Sequence, residues 1–355
     1  MLCVVISTSR IHSWVSTALS HKVQELDLSL PAESVYMFPN TLFSAESLST
    51  LKLKTYSKLE VPSLIHFPNL KTLHLAVEFP DDRSAQQIFS GCPVLQELHL
   101  INCNWKRTKR VTIYIPTLRQ FSIIEDACPD DYPFTDRFNT LLYCEILIYA
   151  ENLQYIDCTS FLTVEVSLCN LSSIVKAEIW FDDMYEMQDI CIPRALRIFD
   201  AICSVKSLIL WDETVEFLSG EDNLEARLPI FHNLTHLEVR RPSFYNDASI
   251  VLTHFLHKCP KVESLHIPET FYMARKGWVL DIAPQYLRCF LKTAIDLMFW
   301  WGGGRLKVTI FCSKDLAVDL EKQKEINHQL QVIRKGKANV GVEFRERKRR
   351  FHNFG

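Results

Sequence analysis

Cys92-Pro93-Val94-Leu95-Gln96-Glu97-Leu98-His99-Leu100 is the stretch that decides the fold of this chain. From Leu95 onward it carries a short phrase: apolar, two variable residues, apolar, variable, apolar. The same phrase stands at Val23-Gln24-Glu25-Leu26-Asp27-Leu28 and recurs from Leu48, Leu70 and Leu118. It loosens from Leu153 and Ile174, then recovers from Val205, Leu234 and Val262. The starts are separated by roughly 21 to 35 residues.

That period is close to the range of a leucine-rich repeat, and the physics of the phrase agrees. Its second half alternates as a strand does, so the leucines point one way and the intervening residues the other. One repeat cannot bury its leucines alone. Stacked as a parallel sheet, the strands share a continuous core. The fold expected is α/β, a right-handed leucine-rich-repeat solenoid of horseshoe form over residues 21–270. The connecting segments fit this plan. Residues 85–93 read as a helix closed by Gly91 with Pro93 beyond it, and residues 250–259 repeat the arrangement up to Cys259-Pro260. Residues 193–203 read as a third helix, with Pro193 placed to open it.

Composition limits what such a chain can do. Of 355 residues, 48% are hydrophobic and 23% charged, and the net charge is −3. This is a globular balance that gives no electrostatic reason to expect nucleic acid or an anionic membrane as partner. The twelve cysteines form no C-x-x-C and no zinc-finger spacing, so they read as small buried thiols in a reducing compartment, cytoplasmic or nuclear. No apolar run is long enough for a signal peptide core or a membrane span. The chain lacks G-x-S-x-G, H-E-x-x-H and a phosphate loop; Gly302-Gly303-Gly304-Arg305 is followed by a strand and reads as a turn. Neither an enzyme nor a cofactor is expected, and the alternative of a hydrolase with an unrecognised site is remote.

Several of these residues resemble the plant F-box/leucine-rich-repeat proteins that often end in an FBD domain. Ile11-His12-Ser13-Trp14-Val15-Ser16-Thr17-Ala18 is similar to the helix before their first repeat. Phe38-Pro39-Asn40-Thr41-Leu42-Phe43 and Ser90-Gly91-Cys92-Pro93-Val94-Leu95 are similar to their repeat signatures. Trp278 followed by Pro284-Gln285-Tyr286-Leu287-Arg288-Cys289 resembles the start of an FBD segment, with Tyr286 where the family usually has Cys. The resemblance implies a protein-interaction module, the substrate-recognition part of an SCF-type cullin ubiquitin ligase. The family's F-box, which docks the Skp-type adaptor, would lie before residue 11, where no room remains. Residues 1–20 are therefore expected to lead into the array without an F-box, and the adaptor to be a partner only if one is restored upstream. The alternative is a free-standing scaffold or degenerate paralogue without ligase function.

Beyond the repeats, Leu306-Lys307-Val308-Thr309-Ile310-Phe311 alternates as a strand, residues 316–333 carry a helical apolar spacing after Ser313, and Val340-Gly341-Val342-Glu343-Phe344 returns as a strand. Residues 278–345 are expected to form a small C-terminal β-α-β, FBD-like cap, followed by a basic tail at 346–355. The variable strand positions should line a concave face, in the order Asp27, Lys52, His74, His99, Ser122, Asp157, Glu178, Ile209, Glu238 and His266. On that face Tyr155, Trp180, Ile209 and Trp211 are expected to anchor a protein target, with Glu178 and Glu238 selecting basic residues. His74, His99 and His266 share a register, yet no Cys or carboxylate completes a metal set, and exposed strand histidines are expected.

Overall fold

The computed structural model describes residues 8–30, 38–125, 144–182, 187–240, 248–268, 306–312, 324 and 340–346. They fall into two compact units, residues 1–177 with 183–202, and residues 178–182 with 203–355.

In the first unit each repeat phrase becomes a strand: β1 (Glu25–Ser29), β2 (Thr50–Lys58), β3 (Thr72–Glu78), β4 (Glu97–Ile101), β6 (Gln120–Ile124) and β8 (Tyr155–Ser160). They pair in this order, every pair parallel. Two devices set the register. The N–H of Leu70, Leu95, Leu118 and Leu153 turns back onto the carbonyl three residues earlier, at Phe67, Cys92, Ile115 and Ala150. The residue that follows donates to its counterpart in the previous repeat, Gln96 to Lys71, Arg119 to Gln96 and Gln154 to Arg119. Each strand therefore starts at the same height as its neighbour, and the inward residues Leu73, Leu98, Phe121 and Ile156 are at most 1% exposed. A helix, α1 (Thr8–Ser20), precedes the first strand and buries Ile11 and Val15.

A second parallel sheet, β5 (Arg110–Tyr114), β7 (Glu145–Tyr149) and β9 (Glu165–Cys169), belongs to the same unit. Helices flank both of its edges. On the β5 side, α2 (Asp82–Ser90) is capped by Asp81, whose carboxylate accepts the Ser84 N–H at 2.7 Å. Gln86 of α2 donates to the Thr112 carbonyl at 2.7 Å and accepts the Thr112 N–H at 3.0 Å, while Asp82 accepts the Lys109 N–H at 2.6 Å. The open edge of β5 is thus satisfied by side chains instead of by another strand. On the β9 side lies α3 (Gln188–Ala201), where Arg194 donates to the Leu162 and Thr163 carbonyls at 2.6 and 2.9 Å. Pro193 does not open α3; it stands inside the helix, five residues past Gln188, where its missing N–H costs one helical bond.

Gly91 closes α2 as expected, but with φ −75° it adopts no left-handed conformation. Space is the reason for glycine: an added Cβ would lie 2.7 Å from Ile65 Cγ2 and 2.9 Å from the Ile65 carbonyl oxygen.

The second unit takes most of β10 (Lys176–Phe181), then β11 (Ser207–Trp211), β12 (His236–Arg240) and β13 (Ser264–Pro268), continued by β14 (Leu306–Cys312) and β15 (Val340–Glu346). From β11 to β15 the pairs are parallel, with Leu208, Leu237 and Leu265 buried to at most 1% exposure. The helices α4 (Asp212–Leu218), α5 (Leu224–Arg227) and α6 (Ala248–His257) belong to it as well. The strands expected near residues 306 and 340 extend the repeat ladder directly. Arg345 and Glu346 end β15, so the basic run begins inside a strand. The helix expected at 316–333 (save Lys324), the FBD-like residues from Trp278, the glycine turn at 302–305 and the tail from 347 lie outside the described residues.

Candidate functional site

Because the strands start level, the variable positions form straight rows. In the first unit Asp27, Lys52, His74, His99, Ser122 and Asp157 are successive partners across six strands. Lys52 lies 3.7 Å from Asp27, an exposed pair of small energetic weight. Ser122 is only 2% exposed. The His74 and His99 rings lie 4.1 Å apart and are half-buried, not exposed as expected. Burial, then the neighbouring His99 and Lys52, pushes His74 down to about 4, so the pair is neutral at ordinary pH. Tyr155 is half-buried on the same face, with the Lys176 ammonium 5.4 Å from its ring.

The other candidate residues belong to the second unit, where Ile209, Glu238, His266, Thr309 and Glu343 form a row. Here the expectation needs correction. Ile209 is 2% exposed and forms part of the floor, not an exposed anchor. Trp211 follows it two residues later on the same face, and the Arg240 guanidinium lies 5.5 Å over that ring. Glu178, 8% exposed, and Glu238 hold an internal cation. Arg240 pairs with Glu178 through Nη1 and with Glu238 through Nε at 2.7 Å. The Trp211 indole N–H also donates to Glu178, at 3.1 Å. Trp211 is thus fixed at its edge by a carboxylate and at its face by a guanidinium, which lowers the ordering cost of using it as an anchor.

Sequence reading missed the acid pair that follows. Asp212, 8% exposed, accepts the Glu213 N–H at 3.0 Å, and Oε2 of Glu213 is buried without a hydrogen-bond partner. Burial and the adjacent Asp212 push Glu213 up to about 7. Next to it Thr214 ties α4 to β10, donating to the Ile179 carbonyl at 3.2 Å and accepting the Phe181 N–H at 2.8 Å. The signal was available: two consecutive acids directly after an inward-facing strand have no room to diverge.

A cleft of about 500 Å³ in the first unit is lined by Lys109, Arg110, Cys144, Glu145, Glu165 and Arg194. Its charges are largely consumed internally. Arg110 pairs with Glu145 at 2.6 Å, Glu165 with Arg197, and Arg194 with backbone carbonyls. Burial, aided by Asp82 and Glu145, pushes the Cys144 thiol up to about 12, which removes it as a nucleophile. Cys92, Cys158 and Cys259 are likewise buried with raised pKa values. Among the described residues no group of three or more His, Cys, Asp or Glu could hold a metal ion, and no helix is long and apolar enough to cross a membrane.

Comparison with known proteins agrees with this architecture. Residues 11–136 match the family model described as the LRR repeats of the FBD-associated F-box protein At5g56370. The chain is 27% identical to the F-box/LRR-repeat protein At3g59190 of Arabidopsis thaliana, over 72% of this chain and 67% of that one. It is 28% identical to the F-box/FBD/LRR-repeat protein At1g78750 of the same plant, over 75% of this chain and 57% of that one. With the FBD-associated F-box protein At5g38590, also from Arabidopsis, it shares 28% identity over 56% of this chain and 44% of the relative. The chain spans about half to two-thirds of the length of curated relatives that it matches. No solved structure matches it. Residues 11–136 are similar to the leucine-rich repeats of FBD-associated F-box proteins, and most of the chain is similar to Arabidopsis F-box/FBD/LRR-repeat proteins.

Proposed function

We propose that this chain is a non-enzymatic protein-interaction module that reads a protein target, as the substrate-recognition part of an SCF-type cullin ubiquitin ligase. Such a receptor supplies proximity, holding its target near the ubiquitin-loaded enzyme. The carrying observation is the level ladder with its half-buried aromatic residues in a relative of F-box/LRR-repeat proteins. On this reading the strands line the concave side of a right-handed horseshoe over residues 21–270. Residues 278–345 form an FBD-like cap that covers the last core layer. Tyr155, Trp180 and Trp211 anchor the target, Ile209 backs them, and Glu178 and Glu238 act through Arg240. The Skp-type adaptor is a partner only if an F-box is restored upstream of the repeats. Neither nucleic acid nor a membrane is a partner, and the protein works in the cytoplasm or the nucleus.

The test is affinity capture from plant extract with the wild-type chain and with Trp180→Ala and Trp211→Ala, read by quantitative mass spectrometry. A recurrent target should lose on the order of 2 kcal/mol of affinity for each substitution. Undiminished capture by both variants would retire the site. A target retained by a chain that never associates with the Skp-type adaptor, even with the upstream sequence included, would favour the free-standing scaffold.

A further inference from the structure

The row that crosses β1, β2, β3, β4, β6 and β8 reads Asp27, Lys52, His74, His99, Ser122 and Asp157, an acid at each end and two imidazoles in the middle. The rings lie 4.1 Å apart and both are half-buried. Among the described residues neither ring takes part in a hydrogen bond, although a neutral imidazole carries one N–H donor and one acceptor nitrogen. Lys52, beside His74 on β2, brings a positive charge that Asp27 matches only loosely, at 3.7 Å. The Glu97 carboxylate of β4 stands one row away and accepts the Thr72 hydroxyl at 3.3 Å. Burial above all keeps both rings neutral, and the charge of Lys52 adds to it. Two idle donors beside an ammonium lack one thing, an anion.

We propose that Lys52, His74 and His99 form the seat for one carboxylate of an extended protein segment, laid across the strands, that carries a cation four residues before and four residues after its acid. The proposal rests on the reading of the variable strand face as a docking surface. A carboxylate set over the two rings accepts an N–H from each and lies beside the Lys52 ammonium, so a single group meets both donors and the charge. Asp27 and Asp157 decide what may flank it. They stand five strand spacings apart, about 24 Å, with the histidine pair midway. Eight residue steps of extended chain cover about 27 Å, so the residues four before and four after a central acid reach both ends and point to the same side. Cations there find a carboxylate, whereas further acids meet like charge. A run of acids is therefore a poor ligand.

The test follows the histidine ring C–H resonances of the full chain by NMR while a blocked nonapeptide is added, with lysine at both ends, glutamate at the centre and threonine elsewhere. Its isomer has the same residues, with glutamate first and a lysine at the centre. His74→Phe and His99→Phe assign the two resonances and keep a flat ring in each place. The first peptide should shift both resonances. The isomer should bind about tenfold more weakly, and so should the first peptide on either Phe variant, the loss of one charge-assisted hydrogen bond. Equal shifts by the two isomers would mean diffuse attraction and overturn the proposal, as would no shift by either. A peptide with phosphoserine at the centre that binds more tightly than the glutamate peptide would overturn the assignment to a carboxylate. If either Phe variant fails to fold by circular dichroism, Lys52→Met, at a side chain 43% exposed, replaces it and should weaken binding about fivefold; an unchanged affinity would again overturn the seat. The probe is synthetic, and Trp180 and Trp211 lie in the other unit, so failure here is separable from failure of target capture.

Discussion

Replacing Arg240 by alanine removes a cation shared by two carboxylates that are not equally able to return to water. The Glu178 side chain is 11% exposed and that of Glu238 is 29% exposed. Glu238 can rehydrate with small loss. Glu178 keeps the Trp211 N–H, and a carboxylate this deep that loses its cation costs several kcal/mol when burial is complete. Arg240 is itself 25% exposed, so the pair is partly screened and the full cost does not apply. Loss of the cation–π contact with Trp211 adds to it. We expect about 3 kcal/mol of destabilisation in all, which for a unit of this size corresponds to a fall of roughly 6–12 °C in Tm. Thermal unfolding by circular dichroism reads this directly. The decisive comparison is the double variant Arg240→Ala with Glu178→Gln, which no longer carries the stranded charge and should recover about half of the loss. If Arg240→Ala shifts Tm by less than about 2 °C, or if the double variant is no better than the single, the carboxylates do not depend on Arg240 and this account of the cluster is wrong.

Three further outcomes follow from other parts of the molecule. Gly91→Ala should destabilise by about 1–2 kcal/mol, because the new Cβ meets Ile65 backbone at 2.9 Å and outweighs any gain in helix propensity; urea unfolding will show a lower midpoint, and a stabilised variant would contradict it. Gln86→Leu leaves the Thr112 N–H and carbonyl unpaired on the β5 edge, so the chain should self-associate more readily in analytical ultracentrifugation than the wild type. The dependence of Tm on pH should have a maximum between the two shifted groups. Glu213 binds its proton more tightly folded than unfolded, so its contribution is lost as pH rises from 4.5 toward about 7 and beyond. His74 binds its proton less tightly folded, so stability falls as pH drops from 6.5 toward about 4. Glu213→Gln should flatten the alkaline limb and His74→Gln the acid limb; a profile unaltered by either would refute the assignments.

The main ladder was legible because each of its strands is fixed by an apolar triplet such as Leu95, Leu98 and Leu100, whose burial needs only the neighbouring copy. The sheet made by β5, β7 and β9 was not. Val111 and Ile113, Ile146 and Ile148, and Val166 alternate correctly, but each strand is short and stands at irregular distance from the phrase. Pairs such as Arg110 with Glu145 bridge 35 residues, and no local pattern announces them. The site was half legible. Row membership could be counted off the repeat, which placed His74 beside His99 and Ile209 beside Glu238 correctly. Exposure could not be counted, since it depends on which long side chain lies down across the row. Arg240 reaches Glu178 across 62 residues of sequence, and that single choice turns an open acidic patch into a neutralised aromatic ledge. The position of Pro193 inside α3 was misjudged for a simpler reason. A proline five residues into a helix removes one bond that packing of Ala195, Leu196, Ile198 and Phe199 can outweigh.

The backbone bonds that run from Lys71 to Ser49, Gln96 to Lys71, Arg119 to Gln96 and Gln154 to Arg119 fasten the start of each rung to the one before it. Nothing in that fastening measures the length of chain spent between rungs. The outer loops can therefore lengthen, shorten or exchange secondary structure during descent, while the spacing of the rungs stays constant. Such a ladder lets evolution vary what faces outward without retuning the frame that presents it.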